Sequence, residues 1–255
     1  MYKGTRFSIK DDAVIMADID FAAQHCRRQE RLFLCDGDAL ILPQARLLKI
    51  LAAIRLKLPW VTRIGTYANT KSISMKSPEQ LRELHENGLA IAYMGLESGD
   101  DVTLRNINKG ADSERMIEMG RKLRAAGIKL SITVLLGIAG RERSLVHARE
   151  TGRVLTAIDP EYVGALSLMP TPNTPLLAAA DRGEFILPTS TEMLEELAVM
   201  IAETGLSNGY FHANHASNYL PIKARLPRDK EATLHLIADA LQGKISLKPE
   251  YMRGL

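Results

Sequence analysis

Apolar residues fall along this chain in two alternating rhythms. Short, nearly continuous apolar runs at residues 31–35, 60–65, 89–96, 128–136 and 162–169 predict buried strands. Between them, apolar residues recur three and four apart, as in Leu47, Leu48, Leu51 and Ile54, which predicts helices with one buried face. Helices are expected over 11–26, from Pro43 to Pro59, over 77–86, over 112–126 and over 144–158. The clearest start is Ser77-Pro78-x-Gln80, a capping box with proline at the first helical position. Asn87-Gly88, Gly127 and Asp159-Pro160 supply stops. Strands that alternate with helices over residues 11–169 predict a parallel sheet, because parallel neighbours need crossover connections. The fold class is therefore α/β, an incomplete parallel barrel of five strands. After Pro175 the rhythm changes to helices at 191–204 and 229–241, with the polar, aromatic-flanked stretch 209–220 between them. Residues 1–175 are read as a partial barrel and 176–255 as a mainly helical extension packing on it.

Each predicted strand ends in groups able to bind a ligand. Asp36, Gly37 and Asp38 end the first, Tyr67 and Asn69 the second, and Glu97 and Ser98 the third. The turn Gly137-Ile138-Ala139-Gly140 ends the fourth, and Thr171 and Asn173 follow the fifth. The opposite ends carry little beyond helix breakers. One-sided chemistry of this kind is expected where the carboxyl ends of parallel strands build a site. No G-x-G-x-x-G follows the first strand, so a dinucleotide fingerprint is absent.

Composition narrows the classes. Hydrophobic residues make 46% of the chain, enough for a sizeable core, and a net charge of +3 indicates neither nucleic acid nor membrane. Aromatic residues make 5%, which argues against a single-strand stacking platform. No secretory leader or bilayer-length apolar run is visible, so the sequence reads as cytoplasmic. The two cysteines, Cys26 and Cys35, match no metal motif, and Cys35 reads as a buried strand residue.

D-G-D-A-L after one strand, G-L-E-S-G-D after another and I-A-G-R-E after a third resemble the radical S-adenosylmethionine enzymes. The match is nearest to the branch with oxygen-independent coproporphyrinogen oxidases and tRNA-modifying relatives. It covers roughly residues 1–175. The resemblance implies a TIM-like barrel of six strands, of which five are present here. It also implies S-adenosylmethionine as cofactor. Asp38 stands where the family's glutamate holds the methionyl amino group, and Asp36 replaces a glycine there. Glu97 stands at the ribose position, with Ser98 beside it, and the 137–140 turn where the adenine packs. In the family a reduced [4Fe–4S] cluster, held by C-x3-C-x2-C, cleaves the sulfonium to a 5′-deoxyadenosyl radical that abstracts hydrogen from substrate. That motif is absent from this sequence. Met1-Tyr2-Lys3-Gly4 resembles the continuation after the third cysteine, so the chain is expected to be truncated before the cluster loop and inactive alone.

Several expectations follow from weighing each residue. An intact form implies an electron donor, and the substrate is unassigned. Tyr67, Asn69, Thr171, His212 and His215 are candidate substrate contacts, although 212–215 reads first as a polar loop over the barrel mouth. Arg105 and Lys109 read as a solvated helix face, and Asp100 and Asp101 as caps. Two alternatives stand beside the radical reading. One is a non-radical barrel enzyme using Asp36, Asp38 and Glu97 with a divalent metal. The other is a non-catalytic adenosyl-binding protein. A missing first strand would also expose the 31–35 edge to self-association.

Overall fold

The computed structural model describes residues 8–35 and 37–254. The elements in chain order are α1 (Asp12–His25), β1 (Arg31–Leu34), α2 (Gln44–Lys57), β2 (Arg63–Tyr67), α3 (Thr70–Ser74), α4 (Pro78–Glu86) and β3 (Leu89–Glu97). Next come α5 (Asp101–Asn106), α6 (Ser113–Ala125), β4 (Lys129–Leu136), α7 (Gly140–Ile158) and β5 (Tyr162–Ser167). The chain continues with α8 (Pro175–Asp181), α9 (Ser190–Glu203), β6 (Gly209–Ala213), β7 (Ile222–Leu226) and α10 (Lys230–Leu241).

The strands form one open sheet in sequential order, β1 to β7. Neighbours from β1 to β6 pair in parallel, and β7 returns antiparallel to β6. The helices that cross between parallel strands bury one sheet face. Ile64, Met94, Ile132, Val163 and Phe211 are buried there in a core shared with Leu51, Leu81, Leu123 and Leu155. Alternation places the intervening residues on the second face, where Tyr93, Ser131, Thr133, Tyr162 and His212 are half-buried.

The alternation of elements was legible; the count of strands was not. The sequence predicts five strands, whereas the sheet has seven among the described residues. The two unforeseen strands lie in 209–226, so the segment expected as mainly helical adds to the sheet. Their G-Y-F-H-A and I-K-A-R-L sequences are shorter and more polar than the nearly continuous apolar runs of the inner strands. The 60–65 strand starts later, at Arg63, because Trp60 and Val61 turn over the end of α2. α7 begins at Gly140 rather than 144, and the short helices α3 and α8 were not foreseen. Cys35 lies just past β1 and is exposed rather than buried.

Candidate functional site at the carboxyl edge

β3 carries the most constrained residue of the site. Its register with β4 slips between Gly95 and Glu97, and Glu97 adopts a left-handed backbone at φ 63°. A glutamate held there costs of order 1–2 kcal/mol that surrounding contacts must offset. The carboxylate folds back over Gly95, where any Cβ would collide with Glu97 Oε1 and stand 3.1 Å from Lys109 Nζ. Lys109 Nζ donates to Glu97 Oε1 at 3.1 Å, and both side chains are about one-quarter exposed. Lys109 is therefore a partner of Glu97, not part of a solvated face. The missed signal is its place at the end of the segment that leaves β3 and turns back beside it.

The residues after Glu97 are buried and fully engaged. Ser98 Oγ lies 2.7 Å from His147 Nδ1 and accepts the Asp100 N–H at 3.0 Å. Gly99 N donates to Thr151 Oγ1 at 2.8 Å. Asp100 caps α5 as expected and also receives Arg143 through Nε at 3.0 Å and a terminal nitrogen at 2.9 Å. Burial acts to raise the Asp100 pKa, but the Arg143 and Thr103 bonds outweigh it and hold the carboxyl at about 2.

At the next strand end, Gly137 N donates to Glu196 Oε1 at 2.7 Å. Glu196 belongs to α9, is fully buried, and also accepts from Ser144 Oγ. His147 Nε2 stands 3.3 Å from Glu196 Oε1 with no hydrogen bond of its own among the described residues. A buried chain of Ser98, His147 and Glu196 thus links the turn after β3 to the turn after β4. The turn's own amides are largely consumed: Ile138 N donates to Leu135 O at 3.3 Å and Gly140 N to Gly137 O at 3.1 Å. An adenine there would meet side chains and carbonyls rather than a row of free N–H groups. Neither His147 nor Glu196 was singled out in the sequence, because a buried polar pair 49 residues apart leaves no local pattern.

Asp36 lies outside the described residues. Asp38 Oδ1 accepts from Leu40 N at 3.0 Å, and Oδ2 accepts from Asn69 N at 2.8 Å and from Ser72 Oγ. Burial raises its pKa, against the lowering effect of these donors. Asp38 therefore staples the turn after β1 to that after β2, with about one of its four lone-pair sites left over. Gly37 is exposed beside it at φ 131°. Asn69 caps α3 through a capping box, so its side chain is committed locally. Tyr67 is 53% exposed and meets Phe33 edge-on at 4.8 Å, with Tyr93 completing the cluster. Thr171 is half-buried in the segment before α8. His212 lies in β6 rather than in a loop, and His215 follows that strand's end, exposed.

A mostly parallel sheet with helices on one face and polar groups gathered at its carboxyl edge defines a partial (β/α) barrel of the ligand-binding type. A family model described as the radical SAM superfamily matches residues 3–147, more than half of the chain, and the chain belongs to that superfamily. Among solved structures it is similar to an N-terminally deleted Elp3 from the archaeon Methanocaldococcus infernus, with TM-score 0.55 and 14% identity over 90% of this chain and 58% of that one. Coproporphyrinogen III oxidase (HemN) from Escherichia coli matches with TM-score 0.53 and 16% identity over 74% of this chain and 44% of that one. Methylornithine synthase (PylB) matches with TM-score 0.53 and 15% identity over 80% of this chain and 58% of that one. The chain thus spans about half the length of the structures it resembles. No curated protein matches the sequence.

The superfamily implies S-adenosylmethionine and a [4Fe–4S] cluster. The thiolates of this chain do not suffice for the second. Three thiolates are needed for the cluster, and the chain has two cysteines, Cys26 and Cys35. No group of three metal-ligating side chains occurs among the described residues. No helix among them is long and apolar enough to cross a membrane.

Proposed function

We propose that this chain is the S-adenosylmethionine-binding part of a radical enzyme. The observation that carries the reading is Glu97: a carboxylate at the carboxyl edge of β3, held in a left-handed conformation over Gly95 beside Lys109. Strain retained at a ligand-facing residue is the kind of feature that binding, rather than stability, maintains. When bound, S-adenosylmethionine would supply a sulfonium for one-electron chemistry, for which the two cysteines of this chain do not hold the cluster.

The chain's own part is binding and orientation. Glu97 would accept hydrogen bonds from the ribose hydroxyls, and the Lys109 contact holds its carboxylate in place. Asp38 offers its remaining lone pair to the methionyl amine. Ile138, buried at the turn after β4, gives an apolar wall for the adenine.

Calorimetric titration with S-adenosylmethionine tests the reading. Glu97→Gln is expected to weaken binding by about 1–3 kcal/mol, through loss of a charge-assisted hydrogen bond. Unchanged affinity removes Glu97 from the site. Binding of magnesium with no response to S-adenosylmethionine supports the metal reading instead.

A further inference from the structure

The loop after β6 is fixed with more buried polar material than a connecting loop requires. Ser217 Oγ accepts the Ser167 N–H at 3.1 Å. Asn218 Oδ1 accepts from Ser167 Oγ at 2.9 Å, and its Nδ2 donates to Ala165 O at 2.8 Å. Arg253 reaches in from the C-terminal segment with its side chain 1% exposed. It donates to Ser217 O at 2.7 Å and Leu168 O at 3.2 Å, and lies 4.1 Å from the Tyr219 ring centroid. Ordering such a network costs conformational entropy that it must recover through complete satisfaction. Its exposed members are Asn214, His215 and Ala216.

His215 is held in a defined state. Its Nδ1 accepts the Ser217 N–H at 3.2 Å and lies 2.9 Å from Ser217 Oγ. An acceptor at Nδ1 places the proton of the neutral ring on Nε2, which is left as an exposed donor. His215 follows the carboxyl end of β6, the same sheet edge that carries Glu97 at the end of β3.

Along β6 and β7 a lysine and an arginine share one face with a histidine and a tyrosine. His212 pairs in register with Lys223, and Tyr210 with Arg225, so all four lie on the half-exposed face. Lys223 is exposed and has no anionic partner among the described residues. Arg225 Nε donates to Asn208 Oδ1 at 2.6 Å, and its guanidinium stands 5.7 Å from the Tyr210 ring centroid. Asp229 accepts the Arg225 backbone N–H, is bound by Arg228 and stands as a counter-charge to Arg225. Burial and Lys223 both depress the His212 pKa. Lys223 is thus the cation of this face with His212 beside it and no carboxylate partner among the described residues, an arrangement that a bound anion would stabilise.

We propose that the β6–β7 face and the loop after β6 form a subsite for an anionic oxygen group of the substrate, a carboxylate or phosphate, bound by His215, His212 and Lys223. This rests on the binding function proposed above and adds the substrate side to it. The barrel would then hold the cofactor over β1 to β4 and the substrate's anionic group over β6 and β7.

Isotope-labelled protein titrated with inorganic phosphate, and separately with acetate at constant ionic strength, tests the subsite. One or both anions are expected to shift the amide signals of His212, Lys223 and Ser217 and the ring signals of both histidines. Lys223→Glu is expected to weaken this by about tenfold, a loss of one charge-assisted contact, while Lys223→Arg retains it. His215→Ala, a change at an exposed side chain, gives a second variant with the same expected direction. Neither anion moving these signals, or Lys223→Glu leaving the titration unchanged, overturns the proposal. A parallel titration with S-adenosylmethionine, read at Glu97 and Gly137, keeps the two readings apart. Shifts there without shifts at His212 and Lys223 defeat the subsite alone, and the reverse defeats the cofactor reading alone.

Discussion

Glu196 Oε1 accepts the N–H of Gly137 at 2.7 Å, so a carboxylate on α9 fixes the turn after β4. Gly137 itself sits at φ 82°, outside the range that other residues favour. The same carboxylate holds Ser144 on α7 and stands next to His147, which reaches the turn after β3 through Ser98. The region after residue 175 is therefore part of the edge's architecture. Glu196→Ala is expected to destabilise the protein by about 3 kcal/mol, since it leaves the Gly137 N–H and Ser144 hydroxyl buried without an acceptor. Glu196→Gln, which keeps an acceptor oxygen, is expected to cost less. Urea denaturation with an unchanged slope measures both. Equal losses would show that charge, not the acceptor, is what the turn requires.

Glu97 offers a test that separates binding from stability. Replacing it by glycine removes the left-handed strain, a gain of about 1 kcal/mol, while removing the ribose acceptor. Glu97→Gly is therefore expected to unfold at equal or higher urea concentration than the parent yet to lose S-adenosylmethionine binding. Gly95→Ala should fail in binding for a different reason, because its Cβ takes the place of the Glu97 carboxylate. A Glu97→Gly protein that is clearly less stable would mean that the Lys109 bridge outweighs the backbone cost.

The two kinds of legibility differ in physical origin. Strands β1 to β5 and their helices could be read because their apolar runs and the one buried stripe of each helix write a local pattern into the sequence. The cap at Ser77 was readable because a cap is satisfied within three residues. β6 and β7 were missed because their second face is half-open and carries Tyr210, His212, Lys223 and Arg225, which look like loop polarity. Glu97 could be placed from its motif. Its partner Lys109, the His147–Glu196 chain and the stapling role of Asp38 could not, because each depends on a long-range contact.

Asp100 sets an acid limit on the edge. Its carboxyl titrates at about 2 in the folded state, against an ordinary value of 3.8. A folded-state pKa below the unfolded one contributes stability above the unfolded value and loses it as pH falls toward the folded value. Stability is therefore expected to drop between about pH 4 and pH 2, by of order 1–2 kcal/mol from this group. Asp229 also titrates at about 2, so the contribution must be isolated by substitution. Asp100→Asn should flatten this limb of the stability profile and loosen Arg143 from α5. An acid limb of unchanged depth in that variant would assign the effect to other carboxylates.

The edge of the sheet at β1 gives the last expectation. Among the described residues β1 pairs with β2 alone, so half of its backbone groups have no strand partner. Leu32, Phe33 and Leu34 are only partly covered. A cavity of about 330 Å³ opens beside the strand, lined by Ile9, Ile15, Ile19, Leu34 and Leu47 among others. Residues 1–7 lie outside the described part; Ser8 to Lys10 line the cavity and pair with no strand. An apolar strand edge with no proline or inward charge is a template for a second chain. Arg31 at its start is the one charge on β1. This polypeptide is expected to self-associate with rising concentration, and the amides of residues 31–34 to exchange more slowly as it does. Cys35→Lys, at an exposed position just past the strand, should suppress association with little cost to folding. Light scattering and hydrogen exchange on the same samples decide the point. A monomer at every concentration, with equal protection of those amides throughout, would show that this edge is already closed within one chain.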